Sequence, residues 1–188
     1  MKIPVEISAR HIHLSQTDLE KLFASGYELS VKKNLSQPNQ FAANEVLTIV
    51  NNNKKIESIR VLGPVRAETQ VEISKTDAIK LAIDAPLRIS GDLKNTPGIK
   101  IIGPKGEINL TNGVIIAKRH LHISPSDANK INVKDGDEIS VSIGGERSVV
   151  FNNIIVRSRE NIDELALHID TDEANAANAN QNSTGEIV

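Results

Sequence analysis

One stretch decides the fold because it occurs twice, as ISARHIHLSQTDLEKL at residues 7–22 and as IAKRHLHISPSDANKI at residues 116–131. The two copies align without a gap, and both contain the motif Arg-His-x-His. Two weaker copies, QVEISKTDAIKL at residues 70–81 and ALHIDTDEANAA at residues 166–177, follow the same plan. The repeat predicts a chain of two related halves, each containing two equivalent corners.

Each copy describes a strand that turns into a short helix. The strand ends in a residue able to bind metal, one aliphatic residue follows, and then comes a Ser or Asp typical of a helix start. An acidic residue lies three positions later, where it can complete a capping box. In chain order the strand-ending residues are His13, Glu72, His122 and His168, and the caps are Ser15, Ser74, Ser124 and Asp170.

The remaining sequence alternates between short runs rich in β-branched residues and turn signals that contain Gly, Pro or Asn. Aromatic residues make up only 2% of the chain, so the core is expected to be aliphatic. This pattern predicts a mainly β fold, with two small β-barrel domains related by the internal repeat and capped by short α-helices. The first domain is expected at residues 1–112 and the second at residues 113–188, with a frayed tail at residues 181–188.

The composition excludes several classes of function. With a net charge of −2 and few aromatic residues, neither nucleic acid nor an anionic membrane surface is an expected partner. The absence of cysteine excludes disulfides, thiolate zinc sites and a covalent acyl-cysteine. No apolar run approaches the roughly 20 residues of a membrane helix. Because no leader peptide is recognised before Ile3, a cytoplasmic location is expected.

The histidine pairs predict two metal sites. Side chains two residues apart in a strand point to the same face, so each Arg-His-x-His motif presents two neighbouring imidazoles. All five histidines lie at the corners of the repeat, which also indicates where each third ligand lies. Three protein ligands with one open position are typical of catalytic zinc. The predicted ligand sets are His11, His13 and Glu72 in the first half, and His120, His122 and His168 in the second.

The competing interpretation of these residues is structural. Histidines in a domain interface can be retained for their hydrogen bonds alone, and a glutamate such as Glu72 is common before a helix. Arg66 is the candidate anion-binding residue, since a guanidinium can bind phosphate through two hydrogen bonds. Its alternative is an ordinary loop arginine. Arg10 and Arg119 precede the histidine pairs and point to the opposite strand face, which predicts structural roles.

The segments that carry these residues closely resemble the phosphate propanoyltransferase family, the PduL-type phosphotransacylases of propanediol utilisation. The resemblance runs from about Ile3 to Ala177, with its motifs in family order. Its four segments are Ser8-Ala9-Arg10-His11-Ile12-His13-Leu14-Ser15, Gly63 to Glu72, Gly113 to His122, and His168 to Asn175.

The resemblance implies a reaction and a set of cofactors. Short-chain acyl-CoA, propanoyl- or acetyl-CoA, and phosphate would be converted reversibly to acyl phosphate and CoA. Two zinc ions per chain are implied at the two ligand sets, with Arg66 binding phosphate. The N-terminal strand, within residues 1–10, is implied to pack with the second barrel. Microcompartment members of the family carry an extra N-terminal peptide that is not seen here, so an unpackaged enzyme is expected, and a homo-oligomer is left open.

The reaction path and two alternative functions complete the prediction. With no cysteine, and with serines best explained as helix caps, direct attack by phosphate is expected rather than a covalent acyl-enzyme. One alternative is a metal-dependent hydrolase, which would release CoA without phosphate. The other is a non-catalytic, zinc-stabilised β-barrel module, whose metals would be fully coordinated by protein.

Overall fold

Strands dominate the protein, whose computed structural model describes residues 1–160 and 164–188. The strands are β1 Ile3–Ser8, β2 His11–His13, β3 Val31–Asn34, β4 Phe41–Asn51, β5 Lys54–Gly63, β6 Gln70–Glu72, β7 Leu87–Arg88, β8 Lys100–Ile102, β9 Glu107–Asn109, β10 Val114–Ala117, β11 His120–His122, β12 Glu138–Ile143, β13 Val149–Arg157, β14 Ala166–Asp170 and β15 Thr184–Ile187. The helices are α1 Gln16–Leu22, α2 Lys75–Leu81, α3 Pro125–Lys130 and α4 Thr171–Ala177. The predicted mainly β fold with few short helices is confirmed.

The chain forms two compact units. The barrel unit comprises Met1–Ala9, Ser36–Pro38 and Lys118–Val188, and the sheet unit comprises Arg10–Leu35 and Asn39–Ala117. The repeat placed the division of the chain between residues 112 and 113, whereas the units divide after Ala117. The difference arises because β10 pairs in parallel with β6 and β7, two strands of the sheet unit.

The barrel unit is a closed six-stranded barrel with the strand order β1-β14-β11-β13-β12-β15. The first strand closes it, because β1 pairs in parallel with β14 on one side and antiparallel with β15 on the other. Aliphatic side chains fill the interior, as the low aromatic content predicted; Ile3, Leu121 and Leu167 are each fully buried. Closure leaves the barrel without a free sheet edge.

The sheet unit is a nine-stranded, curled sheet that stays open. Its strand order is β7-β10-β6-β2-β5-β4-β8-β9, and β3 pairs with β4 outside this path. The long hairpin of β4 and β5 supplies much of the core, in which Leu47, Ile59 and Val61 are buried. The two units therefore contain similar strand-to-helix corners, although one sheet is closed into a barrel and the other is open.

The four helices begin where the repeat predicted. Each cap side chain accepts a hydrogen bond from the backbone N–H three residues later, over 3.2 Å at Ser15, 3.3 Å at Ser74, 3.2 Å at Ser124 and 2.8 Å at Asp170. Capping boxes are complete at Ser74 and Asp170. Helices of six or seven residues are too short to be stable alone, so their caps and their packing on the strands hold them.

The expectation of a frayed tail at residues 181–188 does not hold for Thr184–Ile187. These residues form β15, which pairs with both β1 and β12. A side chain at Gly185 would meet Val141 Cγ1 at 2.5 Å, so the small residue permits close packing on the barrel. In the described part of the chain, no helix is long and apolar enough to cross a membrane.

Candidate metal centres

The sheet unit brings His11, His13 and Glu72 together. The two histidines lie on β2 and the glutamate on β6, with His11 and Glu72 directly opposite in the antiparallel pair. The distance from His11 Nε2 to Glu72 Oε2 is 3.4 Å, and that from His13 Nε2 to Glu72 Oε1 is 3.9 Å. All three residues are buried. We call this cluster the sheet site.

The barrel unit brings His120, His122 and His168 together. Strand β11 carries the first two, and His168 lies on β14 directly opposite His120. The Nε2 atoms of His120 and His122 are 3.1 Å apart. His120 Nδ1 lies 2.8 Å from the carbonyl oxygen of Lys118, and donating a proton there leaves a lone pair on Nε2. Such a backbone contact typically orients a metal-binding histidine. We call this cluster the barrel site.

Both clusters fit a bound metal ion. In each, the candidate ligand atoms lie within 4.8 Å of one another. Two ligands of a tetrahedral zinc ion are separated by about 3.3 Å, given bonds of about 2.0–2.1 Å, and the 3.1 Å and 3.4 Å contacts lie near this value. Among the described residues, buried His13 Nδ1 and His168 Nε2 have no hydrogen-bond partner. Imidazoles with a carboxylate, or imidazoles alone, are donor sets that suit zinc.

For three of the candidate ligands, His13, Glu72 and His120, the electrostatics favour the protonation state that metal binding requires. Burial lowers the pKa of His120 to about 3, and His168 adds to the effect, so His120 is neutral near pH 7. Burial and neighbouring His11 hold the pKa of His13 well below its usual value. Burial alone would raise the pKa of Glu72, but His11, His13 and the hydroxyl of Ser90 outweigh it and keep the group a carboxylate.

Arg66 lies in the hydrogen-bond network of the sheet site. Its backbone N–H donates to the carbonyl oxygen of Leu14, and its Nη1 donates to Ser90 Oγ over 3.1 Å. Ser90 Oγ in turn donates to Glu72 Oε1 over 2.8 Å. Gln70 Nε2 donates both to Ser90 Oγ and to Glu72 Oε1. The structure thus connects the candidate anion-binding residue to a candidate metal ligand through one serine.

Sequence reasoning missed Ser90 and Gln70. In the sequence Ser90 forms part of a Ser-Gly turn signal, and nothing local connects it with Glu72. Gln70 could have been found, because it precedes Glu72 by two residues and strand alternation places both on one face. A backbone group also holds the Gln70 side chain in place, since the N–H of Gly91 donates to Gln70 Oε1 over 2.7 Å.

Arg10 and Arg119 connect the corners within their units. Arg10 Nε donates to Asp77 Oδ2 over 2.7 Å, and Arg119 Nη1 donates to Glu173 Oε1 over 2.9 Å. In both cases the arginine precedes a histidine pair and the acid belongs to the helix that follows the third candidate ligand. These contacts fit the structural roles expected from the sequence, and they couple the two strand ends that form each site.

Comparison with known proteins shows similarity along nearly the whole chain. The profile of the phosphate propanoyltransferase family matches residues 4–180. A phosphate propanoyltransferase of Thermotoga maritima is 54% identical over 187 residues, covering 99% of this chain and 87% of the relative. Those of Lachnoclostridium phytofermentans and Salmonella typhimurium are each 51% identical, covering 99% and 94% of this chain and 85% and 84% of the relatives. The matched range includes both candidate sites.

Proposed function

Because the chain belongs to the phosphate propanoyltransferase family, we propose that it interconverts short-chain acyl-CoA and phosphate with acyl phosphate and CoA, using two zinc sites. Family membership makes the protein an acyltransferase enzyme. The observation that carries the two-site proposal is that each unit assembles its own cluster of three potential ligands at equivalent corners of the repeat. A purely structural protein would have little reason to place all five of its histidines in two such clusters.

The two clusters would each hold one ion. The proposed ligands are His11, His13 and Glu72 at the sheet site, and His120, His122 and His168 at the barrel site. A zinc ion supplies Lewis-acid polarisation of a carbonyl group and an anchor for anionic oxygen or thiolate sulfur. With three protein ligands at each site, one position stays available for substrate.

Arg66 would bind the phosphate substrate. Its guanidinium carries a fixed positive charge in a planar fork that matches two phosphate oxygens. The contacts with Leu14 and Ser90 restrict both its backbone and one of its nitrogens. A positioned arginine loses less conformational entropy when phosphate binds, which favours a productive orientation of the nucleophile.

Phosphate is the proposed nucleophile because the residues best suited to replace it are already engaged in other contacts. There is no cysteine, and the hydroxyls of Ser15 and Ser124 accept hydrogen bonds from helix N–H groups. Ser90 is hydrogen-bonded to Glu72, and all histidines belong to the two clusters. A phosphate oxygen would attack the thioester carbonyl carbon, and the carbon–sulfur bond would break with release of CoA as thiolate. Phosphate is already an anion, so positioning matters more than deprotonation.

The deciding experiment measures CoA release from acetyl- and propanoyl-CoA with zinc-loaded protein, with and without phosphate. We expect release to require phosphate, acyl phosphate to form in equal amount, and initial-rate plots for the two substrates to intersect. Release without phosphate would identify a hydrolase, and no release would identify a non-catalytic module. An acyl group trapped on the protein in the absence of phosphate would overturn direct attack.

A further inference from the structure

The barrel site has a carboxylate neighbour that lies outside its three histidines. We propose that Glu6 is a fourth, exchangeable ligand of the metal ion at the barrel site. The proposal rests on the proposed function, since it presumes that a metal ion binds there. Three observations support it: the register of the strands, the distance between Glu6 and His168, and the comparison with the sheet site.

The strand register places Glu6 in line with two of the histidines. In the parallel pair of β1 and β14, Glu6 is opposite His168. In the antiparallel pair of β14 and β11, His168 is opposite His120. Directly opposed residues of neighbouring strands point to the same face. Glu6, His168 and His120 therefore form one row across three strands of the closed barrel.

The distance between Glu6 and His168 resembles that between two ligands of one ion. Glu6 Oε2 lies 3.2 Å from His168 Nε2, and the corresponding carboxylate–imidazole distance at the sheet site, between Glu72 Oε2 and His11 Nε2, is 3.4 Å. His168 Nε2 is buried, and the Glu6 carboxylate lies beside it. The contact places a carboxylate oxygen and an imidazole nitrogen at a distance that also suits two ligands of one metal ion.

The sheet site shows what the extra carboxylate contributes. There the residue opposite the third ligand is Ile115, which pairs with Glu72 and is fully buried. The sheet site thus has its carboxylate in the third position and an aliphatic side chain beyond it. The barrel site has a histidine in the third position and a carboxylate beyond it. With Glu6 included, each site contains one carboxylate, and a divalent ion would have the same net charge in both.

The partial exposure of Glu6 explains how a substrate could displace it from the metal ion. Its side chain is 36% exposed, in contrast to 10% for Glu72, so solvent reaches the carboxylate and substrate can displace it. The Ser36 side chain hydrogen-bonds the carboxylate and offers it an alternative partner. The anionic oxygen would bind the ion when substrate is absent and leave when a substrate atom takes the fourth position.

Cobalt binding tests this role without relying on activity. Glu6→Gln keeps the shape of the side chain and removes its charge, and Glu186→Gln, at an exposed position of β15 in the same barrel, is the matched control. Cobalt affinity would be measured by competition with a chelator, and coordination by the visible absorption of the bound ion. We expect two cobalt ions in the wild-type protein, an affinity about 10–100-fold lower at one site of Glu6→Gln, and a changed spectrum at that site. Glu186→Gln should match the wild-type protein.

The outcomes separate this proposal from the proposed function. A Glu6→Gln variant with the affinity and spectrum of Glu186→Gln would overturn the role of Glu6 and leave both metal sites intact. A wild-type protein that binds no cobalt would overturn the metal sites themselves. If Glu6→Gln folds poorly, Glu6→Asp serves instead, since the shorter carboxylate keeps the charge but moves it away from His168. Its spectrum should change, and an unchanged spectrum would also contradict direct coordination.

Discussion

The sheet site and the barrel site share a backbone plan but differ in their surroundings. Each consists of a His-x-His strand beside a strand that carries a third candidate ligand directly opposite the first histidine. At the sheet site this residue is a glutamate in a network with Ser90 and Arg66. At the barrel site it is a histidine beside Glu6, and a backbone carbonyl orients His120. A duplicated corner can therefore keep the arrangement of three candidate ligands while the neighbouring side chains change the charge around it.

The feature that both sites keep is the arginine before the histidine pair. Asp77, the partner of Arg10, has a side chain only 3% exposed, whereas Glu173, the partner of Arg119, is 23% exposed. In both units this contact connects the first corner with the helix of the second. The same contact therefore occurs in an open sheet and in a closed barrel.

Removal of one ligand from either site should give the largest effect. His120→Ala should remove the ion of the barrel site and leave that of the sheet site, and His11→Ala should do the reverse, because the ligand sets share no residue. CoA release should fall at least about 100-fold in each, the order of loss found when one transition-state-stabilising group is deleted. Elemental analysis and the CoA-release assay check this, with Asn129→Ala at an exposed position of α3 as the control. Loss of both ions in either variant would mean that the sites are coupled.

Substitution of Arg66 should affect the use of phosphate much more than the use of acyl-CoA. Arg66→Lys keeps the charge and loses the bidentate geometry, so we expect the KM for phosphate to rise about 10-fold or more. The KM for acyl-CoA should change by less than about two-fold, because the altered group is proposed to contact phosphate and not acyl-CoA. The control is Arg88→Lys, in which the replaced arginine pairs with Asp92 instead. Unchanged use of phosphate would return Arg66 to an ordinary loop residue.

Ser90 should affect the sheet site alone. Its hydroxyl orients Glu72, and a residue that orients a metal ligand typically contributes about 10-fold or more to metal affinity. Ser90→Ala should therefore weaken one of two zinc-binding steps in a chelator competition and leave the other unchanged. Ser140→Ala, which removes a hydroxyl from the exposed surface of the barrel unit, is the matched control. Equal weakening of both steps would show that the serine acts on general stability.

The smallest expected difference concerns the arginine contacts. Asp77→Asn should lower the free energy of unfolding by about 1–2 kcal/mol, because a charged hydrogen bond is weakened at a buried position. Glu173→Gln should cost about 1 kcal/mol or less, since solvent screens the more exposed pair. Thermal unfolding of the two variants under identical metal conditions shows which substitution lowers the free energy of unfolding more. A larger loss in Glu173→Gln would contradict the comparison.

The local features of the corners could be predicted from the sequence. Strand alternation and helix caps act over two or three residues, so the repeat alone indicated which side chains share a face and where the helices begin. The structure brings the predicted residues into the two predicted groups, His11 with Glu72 and His120 with His168. Their role as zinc ligands stays a prediction, as does phosphate binding by Arg66.

The distant pairings could not be predicted in the same way. Closure of the barrel requires β1, at the start of the chain, to pair with β14 and β15 near its end. The polar sequence of Thr184–Ile187 suggested a frayed tail, because its strand character comes from two neighbours and not from its own composition. Ser90 and Glu6 were missed for the same reason, since each meets its partner only after the sheets form.

Anomalous diffraction at the zinc edge would show whether each unit binds its own zinc ion. Crystals of active protein should show two peaks, one among His11, His13 and Glu72 and the other among His120, His122 and His168, with ligand bonds of about 2.0–2.1 Å. A single peak, a peak outside these clusters, or no peak in crystals of active enzyme would mean that the two units do not each hold a zinc ion.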